Sequence, residues 1–127
     1  MSENEITIVR LRARKADHDE FEKALRGYMD HEYAHPELFH YNSTRFYFMD
    51  APDNPDEEIW ICIDRYEDFG FEAYAASLEN ARETDPETQK HAVATASLLA
   101  PGFVPYRERF TEAPKLAVDM PVGNHPG

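Results

Sequence analysis

One cysteine in 127 residues, Cys62, has no partner for an internal disulfide, so the fold must be held by its core. Its place between Ile61 and Ile63 reads as a buried thiol, and no spacing of His or Asp marks it as a nucleophile. Basic residues are also scarce: 13 Lys and Arg stand against 25 Asp and Glu, a formal net charge of -12. DNA, RNA and anionic membrane surfaces are met by basic faces, so no nucleic-acid or membrane partner is expected. The acidic excess fits solubility and adaptation to a salty cytoplasm equally well. No stretch has the roughly 20 apolar residues of a membrane span, and the start MSENEITIV has neither the basic region nor the apolar run of a secretory signal. A cytoplasmic, soluble protein is the expectation.

What is present is enough for a core. Hydrophobic residues make up 42% and aromatics 13% of the chain, the composition of a folded domain of ordinary size. Residues 1–110 read as one domain and residues 111–127, dotted with proline and without periodicity, as a C-terminal tail or an arm laid on a partner.

Ile6 to Arg14 alternates, with Ile6, Ile8, Arg10, Arg12 and Arg14 on one face and Thr7, Val9, Leu11 and Ala13 on the other, which predicts a strand. Asp17 three residues before Glu20 is an acidic analogue of a capping box, and Phe21, Ala24, Leu25 and Tyr28 follow at helical spacing. A helix is expected from His18 to about Ala34, stopped near His35 by Pro36. Thr44 to Met49 and Ile59 to Asp64 predict two further strands joined by the polar turn DAPDNPDEE, hence an antiparallel hairpin. The segment from Asp68 to Ala100 reads as helix, continuous or broken in two at Asp85-Pro86, with Asp85 as N-cap. Phe103 to Phe110 predicts a last strand, weakened at Pro105 in a way that suits an edge.

The order β-α-β-β-α-β is the ferredoxin-like arrangement of the α+β class, with an antiparallel sheet. Helices cover one face of such a sheet. The other would leave aliphatic and aromatic side chains in water, so a homodimer is expected to cover it.

This order, together with the stretch RYEDFGFEAYAAS, resembles the antibiotic biosynthesis monooxygenase-like group of dimeric α/β-barrel proteins over about residues 5 to 110. In that group the helix reads roughly W-x-x-x-x-x-F-x-x-H-x-x-S. Phe71 and Ser77 match, Tyr74 takes the histidine position, and Arg65 or Tyr66 takes that of the tryptophan. The resemblance implies a dimeric α/β barrel and a small-molecule pocket between sheet and helices. It further implies oxidation of a small aromatic or phenolic molecule without a cofactor, a monooxygenase reaction. Haem-degrading members use the helix histidine as iron ligand, so Tyr74 speaks against haem. The group also contains isomerases and proteins without known activity, and a non-catalytic small-molecule-binding or interaction dimer is the alternative.

One motif points elsewhere. HEYAH, residues 31–35, matches the helical zinc signature H-E-x-x-H, in which His31 and His35 would be ligands and Glu32 the general base. The extended form would need glycine at 38 and histidine at 41, where the chain has Leu38 and Tyr41, and Pro36 ends the helix. No metal is therefore the main expectation and zinc on His31, His35 and Glu32 the alternative. Helix termination, with histidines near the negative end of the dipole, accounts for the same residues.

For the oxygenase reading the candidate catalytic residues are His35, Trp60, Asp64, Arg12 and Asn42. His35 or Asp64 would be the base, with Arg12, Asn42 and Trp60 stabilising and orienting the substrate. The candidate substrate contacts are Tyr47, Tyr74, Tyr66 and Arg10. Trp60, Cys62 and Asp64 share one face of their strand, and Tyr47 or its neighbours Phe46 and Phe48 line the next. Arg10 and Arg12 each need a carboxylate or a substrate anion, with Asp64 and Glu108 as protein partners within the chain.

Overall fold

The computed structural model describes residues 4–121 and 123. Its elements are β1 (Glu5–Arg14), α1 (His18–Ala34), β2 (Ser43–Asp50), β3 (Glu57–Arg65), α2 (Phe71–Thr84), α3 (Pro86–Ala96) and β4 (Tyr106–Thr111). The strands form one sheet in the order β2-β3-β1-β4 with every pair antiparallel. This is the ferredoxin-like α+β fold, with the helices on one face.

Register explains which residues meet. On the face beneath the helices, Arg107, Val9, Cys62 and Phe46 form one cross-strand row, and Arg109, Thr7, Asp64 and Thr44 form the next. Because side chains alternate along a strand, Ile59, Ile61 and Ile63 fall on the opposite face with Tyr47, Arg10 and Arg12. The core divides in two. Leu11, Ala13, Phe21, Leu25 and Trp60 pack under α1, and Phe39, Tyr66, Tyr74, Leu78 and Ala81 pack under α2. Phe21 is wholly buried and meets Trp60 edge-on at 5.1 Å, so Phe21→Ala would cost about 3–5 kcal/mol.

The helical region after β3 is broken. Asp85 caps α3 by accepting from the Thr88 backbone N–H at 3.1 Å, and Pro86 opens that helix without needing a donor. Gly70 precedes α2 with φ of +86°, where an L side chain would be strained, as the turn from Tyr66 doubles back.

Two local expectations are corrected. Asp17 makes no side-chain cap, because a 3-10 turn over Lys15–Asp17 feeds directly into α1 and keeps its backbone out of the extended conformation a cap requires. The last strand starts at Tyr106 rather than Phe103. Pro105 has no N–H for the ladder, and the preceding residues turn through Gly102 with the Phe103 N–H on the Ala100 carbonyl. That strand is an edge of the sheet. After Thr111 comes a 3-10 turn, Pro114–Leu116, with exposed side chains; of the expected tail, residues 122 and 124–127 lie outside the described residues. No described helix is long and apolar enough to cross a membrane.

Candidate active site

Between the two core clusters lies a cavity of about 130 Å³. Its floor is the sheet, with Val9, Phe46, Cys62 and Asp64, and its roof includes Tyr28 and Glu32 of α1 and Leu78 and Arg82 of α2. Glu32, Tyr41 and Thr44 also line a wider cleft of about 820 Å³ on the outside. They form the wall through which the inner cavity meets solvent.

Glu32 reaches the cavity by the helical spacing of Phe21, Leu25, Tyr28 and Glu32, all buried on one side of α1. A carboxyl on an apolar stripe is costly unless it is bonded or protonated. Both apply here. The Tyr41 hydroxyl donates to Glu32 Oε1. Burial pushes the Glu32 carboxyl up to about 7, with the negative charge of Asp64 adding to the rise while Tyr41 and Arg82 act against it.

Asp64 is 8% exposed and accepts from the Tyr74 hydroxyl. Arg107 Nη1 donates in turn to that hydroxyl at 3.0 Å, with its guanidinium 5.3 Å from the Tyr74 ring centre. Cys62 Sγ stands 3.1 Å from Thr44 Oγ1 and 3.4 Å from Asp64 Oδ1. Burial first, then the charge of Asp64, pushes the thiol pKa far up, so it is a thiol and no nucleophile near neutral pH. The same two influences raise Tyr74, and burial with Glu32 raises Tyr41. Both phenols therefore act as hydrogen-bond donors.

The residues expected from sequence fall into several places. Asp64 lines the cavity, and Tyr74 is bonded to it from the core. Tyr66 lies beside them in the core, stacked on Tyr74 at 4.5 Å and accepting from Thr7 Oγ1. Trp60 is on the same sheet face but belongs to the α1 core, stacked on Phe48 with its indole N–H toward Glu58. Asn42 lines the outer cleft and exchanges hydrogen bonds with Asp68.

Arg10, Arg12 and Tyr47 are on the far face of the sheet, away from Asp64, since alternation sends even and odd positions of β1 and β2 to opposite sides. There Arg10 pairs with Glu108 at 2.6 Å and Arg12 with Asp53 at 2.7 Å, while Tyr47 is 52% exposed. His35 ends α1 with Nδ1 on the His31 carbonyl at 2.9 Å.

The HEYAH residues split: the rings of His31 and His35 lie 4.5 Å apart, while Glu32 turns the other way. His31 Nε2 lies 2.8 Å from Asp85 Oδ2 and 3.2 Å from Thr88 Oγ1. Glu32 points into the cavity on Tyr41. Zinc on His31, His35 and Glu32 does not fit this arrangement, and among the described residues no three His, Cys, Asp or Glu side chains gather as a metal site. For the haem alternative, Tyr74 occupies its helix position bonded to Asp64.

Glu32 as a cavity carboxyl, with Tyr41, Arg82 and Arg107, was not read from sequence. The signal for Glu32 was there, since it extends the apolar stripe of α1 by one turn. Arg107 carries none, because only the register of an edge strand brings it to Tyr74.

No protein-family model matches the chain, and no curated protein matches it by sequence. Solved structures share its fold at low identity. A variant of SnoaB, a cofactor-independent oxygenase from Streptomyces nogalater, superposes with TM-score 0.52 at 17% identity, covering 86% of this chain and 93% of that one. A protein from Nitrosomonas europaea provisionally assigned as an antibiotic biosynthesis monooxygenase gives 0.54 at 16%, covering 86% and 98%. A dimeric ferredoxin-like protein of unknown function from Thermobifida fusca gives 0.53 at 13%, covering 88% and 94%. The chain thus shares the ferredoxin-like fold found among antibiotic biosynthesis monooxygenase-like proteins.

Proposed function

We propose that the protein is a cofactor-independent oxygenase of hydroxylated aromatic molecules, acting as a homodimer. The observation that carries this reading is the cavity with two buried carboxyls, Glu32 and Asp64, each on a tyrosine hydroxyl, between apolar walls. An apolar cavity of about 150 Å³ holds one benzene ring, so the inner space of about 130 Å³ takes at most one ring and the outer cleft takes the rest of a larger substrate.

Glu32, poised near neutrality, takes the phenolic proton. Asp64 fixes the Tyr74 hydroxyl, which accepts from Arg107 and so holds that guanidinium beside the cavity. The phenolate then carries carbanion character on a ring carbon. That carbon bonds to molecular oxygen, and the hydroperoxide loses water across its C–H to leave a quinone carbonyl. One oxygen atom stays in the product and the other leaves as water, and the substrate supplies all four electrons. Tyr41 stands where the proton must pass between the cavity and the outer cleft.

SnoaB's description as cofactor-independent supports the reading, and the dimeric description of the Thermobifida fusca protein supports the assembly. We place the second copy on the isoleucine face of the sheet, with the segment after Thr111 as an arm across it. The test is oxygen uptake with a panel of naphthols and hydroxyanthrones. Uptake with stoichiometric quinone formation supports an oxygenase. Saturable binding without uptake assigns the cavity to a non-catalytic ligand-binding dimer instead.

A further inference from the structure

The chain carries almost twice as many acidic as basic residues, so an arginine without a carboxylate is the exception. Arg10, Arg12, Arg26, Arg65 and Arg109 each lie within 4 Å of one. Among the described residues Arg14, Arg45, Arg82 and Arg107 do not. Arg82 and Arg107 line the inner cavity and Arg45 the outer cleft.

Arg82 and Arg107 come from opposite layers, the last turn of α2 and the edge strand β4, and line the same cavity from its solvent-exposed side. Burial pushes the Tyr28 phenol up, and both guanidiniums, Arg82 first, act against that rise. Neither is satisfied by the cavity carboxyls directly: Arg107 reaches Asp64 only through Tyr74, and no ion pair joins Arg82 to Glu32. A planar guanidinium presents paired donors that fit a carboxylate. Two of them beside walls of Val9, Leu11, Leu25 and Leu78 specify a ligand that is apolar in its body and anionic at one end.

We infer that Arg82 and Arg107 select an aromatic acid, a ring that bears a carboxylate besides its hydroxyl, over the neutral ester or unsubstituted phenol. This rests on the cavity being the substrate site and narrows the class of substrate it takes. The bond to Tyr74 then has a second use, since it holds Arg107 over the cavity when no ligand is bound.

The experiment is calorimetric titration of the full chain with 6-hydroxy-2-naphthoate and with its methyl ester, for the wild type, Arg82→Gln, Arg107→Gln and the double variant. The wild type is expected to bind the acid at least ten-fold more tightly than the ester. Each single variant narrows that ratio, and the double variant brings it to within two-fold while binding the ester as the wild type does, which also reports an intact fold. Arg14→Gln removes the same charge at a site outside both voids and leaves the ratio unchanged.

Equal wild-type affinity for acid and ester overturns the inference, as does a preference that survives in the double variant or falls equally in Arg14→Gln. Failure of the wild type to bind either compound overturns it together with the cavity assignment. Oxygen uptake, followed separately, bears on the reaction alone: a charge preference without uptake keeps the aromatic acid as ligand and removes the oxygenase.

Discussion

On the helix-covered face of the sheet, buried carboxyls are held by rings and hydroxyls: Asp64 by Tyr74, Glu58 by His18 and Trp60, and Glu32, reaching down from α1, by Tyr41. On the open face the charges are already compensated. Arg10 is held by Glu108, Arg12 by Asp53 and Glu57, and between them Ile59, Ile61 and Ile63 form an aliphatic strip with Tyr47 and Met49 more than half exposed. Neutralised charges around an apolar strip suit burial against another protein surface. Glu32, bonded to a phenol rather than a cation and with its proton affinity raised by burial, suits proton transfer. The same alternation along each strand thus sets a compensated apolar strip and a cavity with buried carboxyls back to back.

The sharpest way to break this comparison is to disable the carboxyls of the covered face. Glu32→Gln keeps the shape of the protonated acid and cannot accept a proton, so oxygen uptake should fall by about 10² to 10⁴, the usual loss on removing a general base. Asp64→Asn should fall less, since it loosens Tyr74 and lowers the proton affinity of Glu32 without removing it. A drop in Asp64→Asn larger than in Glu32→Gln would exchange their roles. On the other face, Ile61→Lys puts a charge at the centre of the strip. The assembly is then expected to fall from about twice 14.7 kDa to 14.7 kDa in light scattering, with the far-ultraviolet circular dichroism retained. Unchanged mass at every concentration would move the interface elsewhere.

Much of the fold was legible in the sequence, because strand alternation and helical periodicity are local signals. The bounds of α1 could be read from spacing and Pro36, and Asp85 as an N-cap from its chemistry, while whether the helical region was continuous or broken stayed open. The face assignment in β3 could be read too, so Asp64 and Cys62 share a side as expected. The site was legible only where one element decides it. Arg10 and Arg12 looked like substrate ligands because alternation cannot say which face is covered; the covering helices belong to other parts of the chain. The Tyr74, Asp64 and Arg107 contact joins residues of three elements and depends on the β1–β4 register, which no local pattern carries. HEYAH misdirects for the same reason. Its spacing puts His31 and His35 on one side, but Asp85, 54 residues away, claims His31.

The comparison can be sharpened through stability. A carboxyl whose folded pKa is raised holds its proton more tightly in the native state, so its contribution is fully present below its unfolded value and is lost as pH rises toward the folded one. For Glu32 that window runs from about 4.5 to about 7. At about 1.4 kcal/mol per unit of pKa, Glu32→Gln should gain on the wild type by about 3 kcal/mol between pH 5 and pH 8, measured by urea midpoints at unchanged slope. His18 behaves with the same sign. Its bond to Glu58 raises the imidazole, so its contribution is present at low pH and fades as pH rises past its folded value. His18→Gln should cost more stability at pH 5 than at pH 8.

The smallest expected effect lies outside both faces. Asp85 caps α3 through the Thr88 N–H and hydroxyl and also meets His31. Thr88 and then His31 hold its carboxyl below the usual range, the opposite direction to Glu32, so its contribution is present above its unfolded value and lost as pH falls. Asp85→Ala removes a helix cap and should lower the urea midpoint at pH 7, with the difference shrinking toward pH 3. Asp85→Asn keeps an acceptor for Thr88 while removing the charge that His31 meets, so it should recover most of the cap and none of the pH dependence. If Asp85→Asn is as damaging as Asp85→Ala, the histidine contact, and not the cap, holds α1 to α3, and the histidines of HEYAH are structural through that contact.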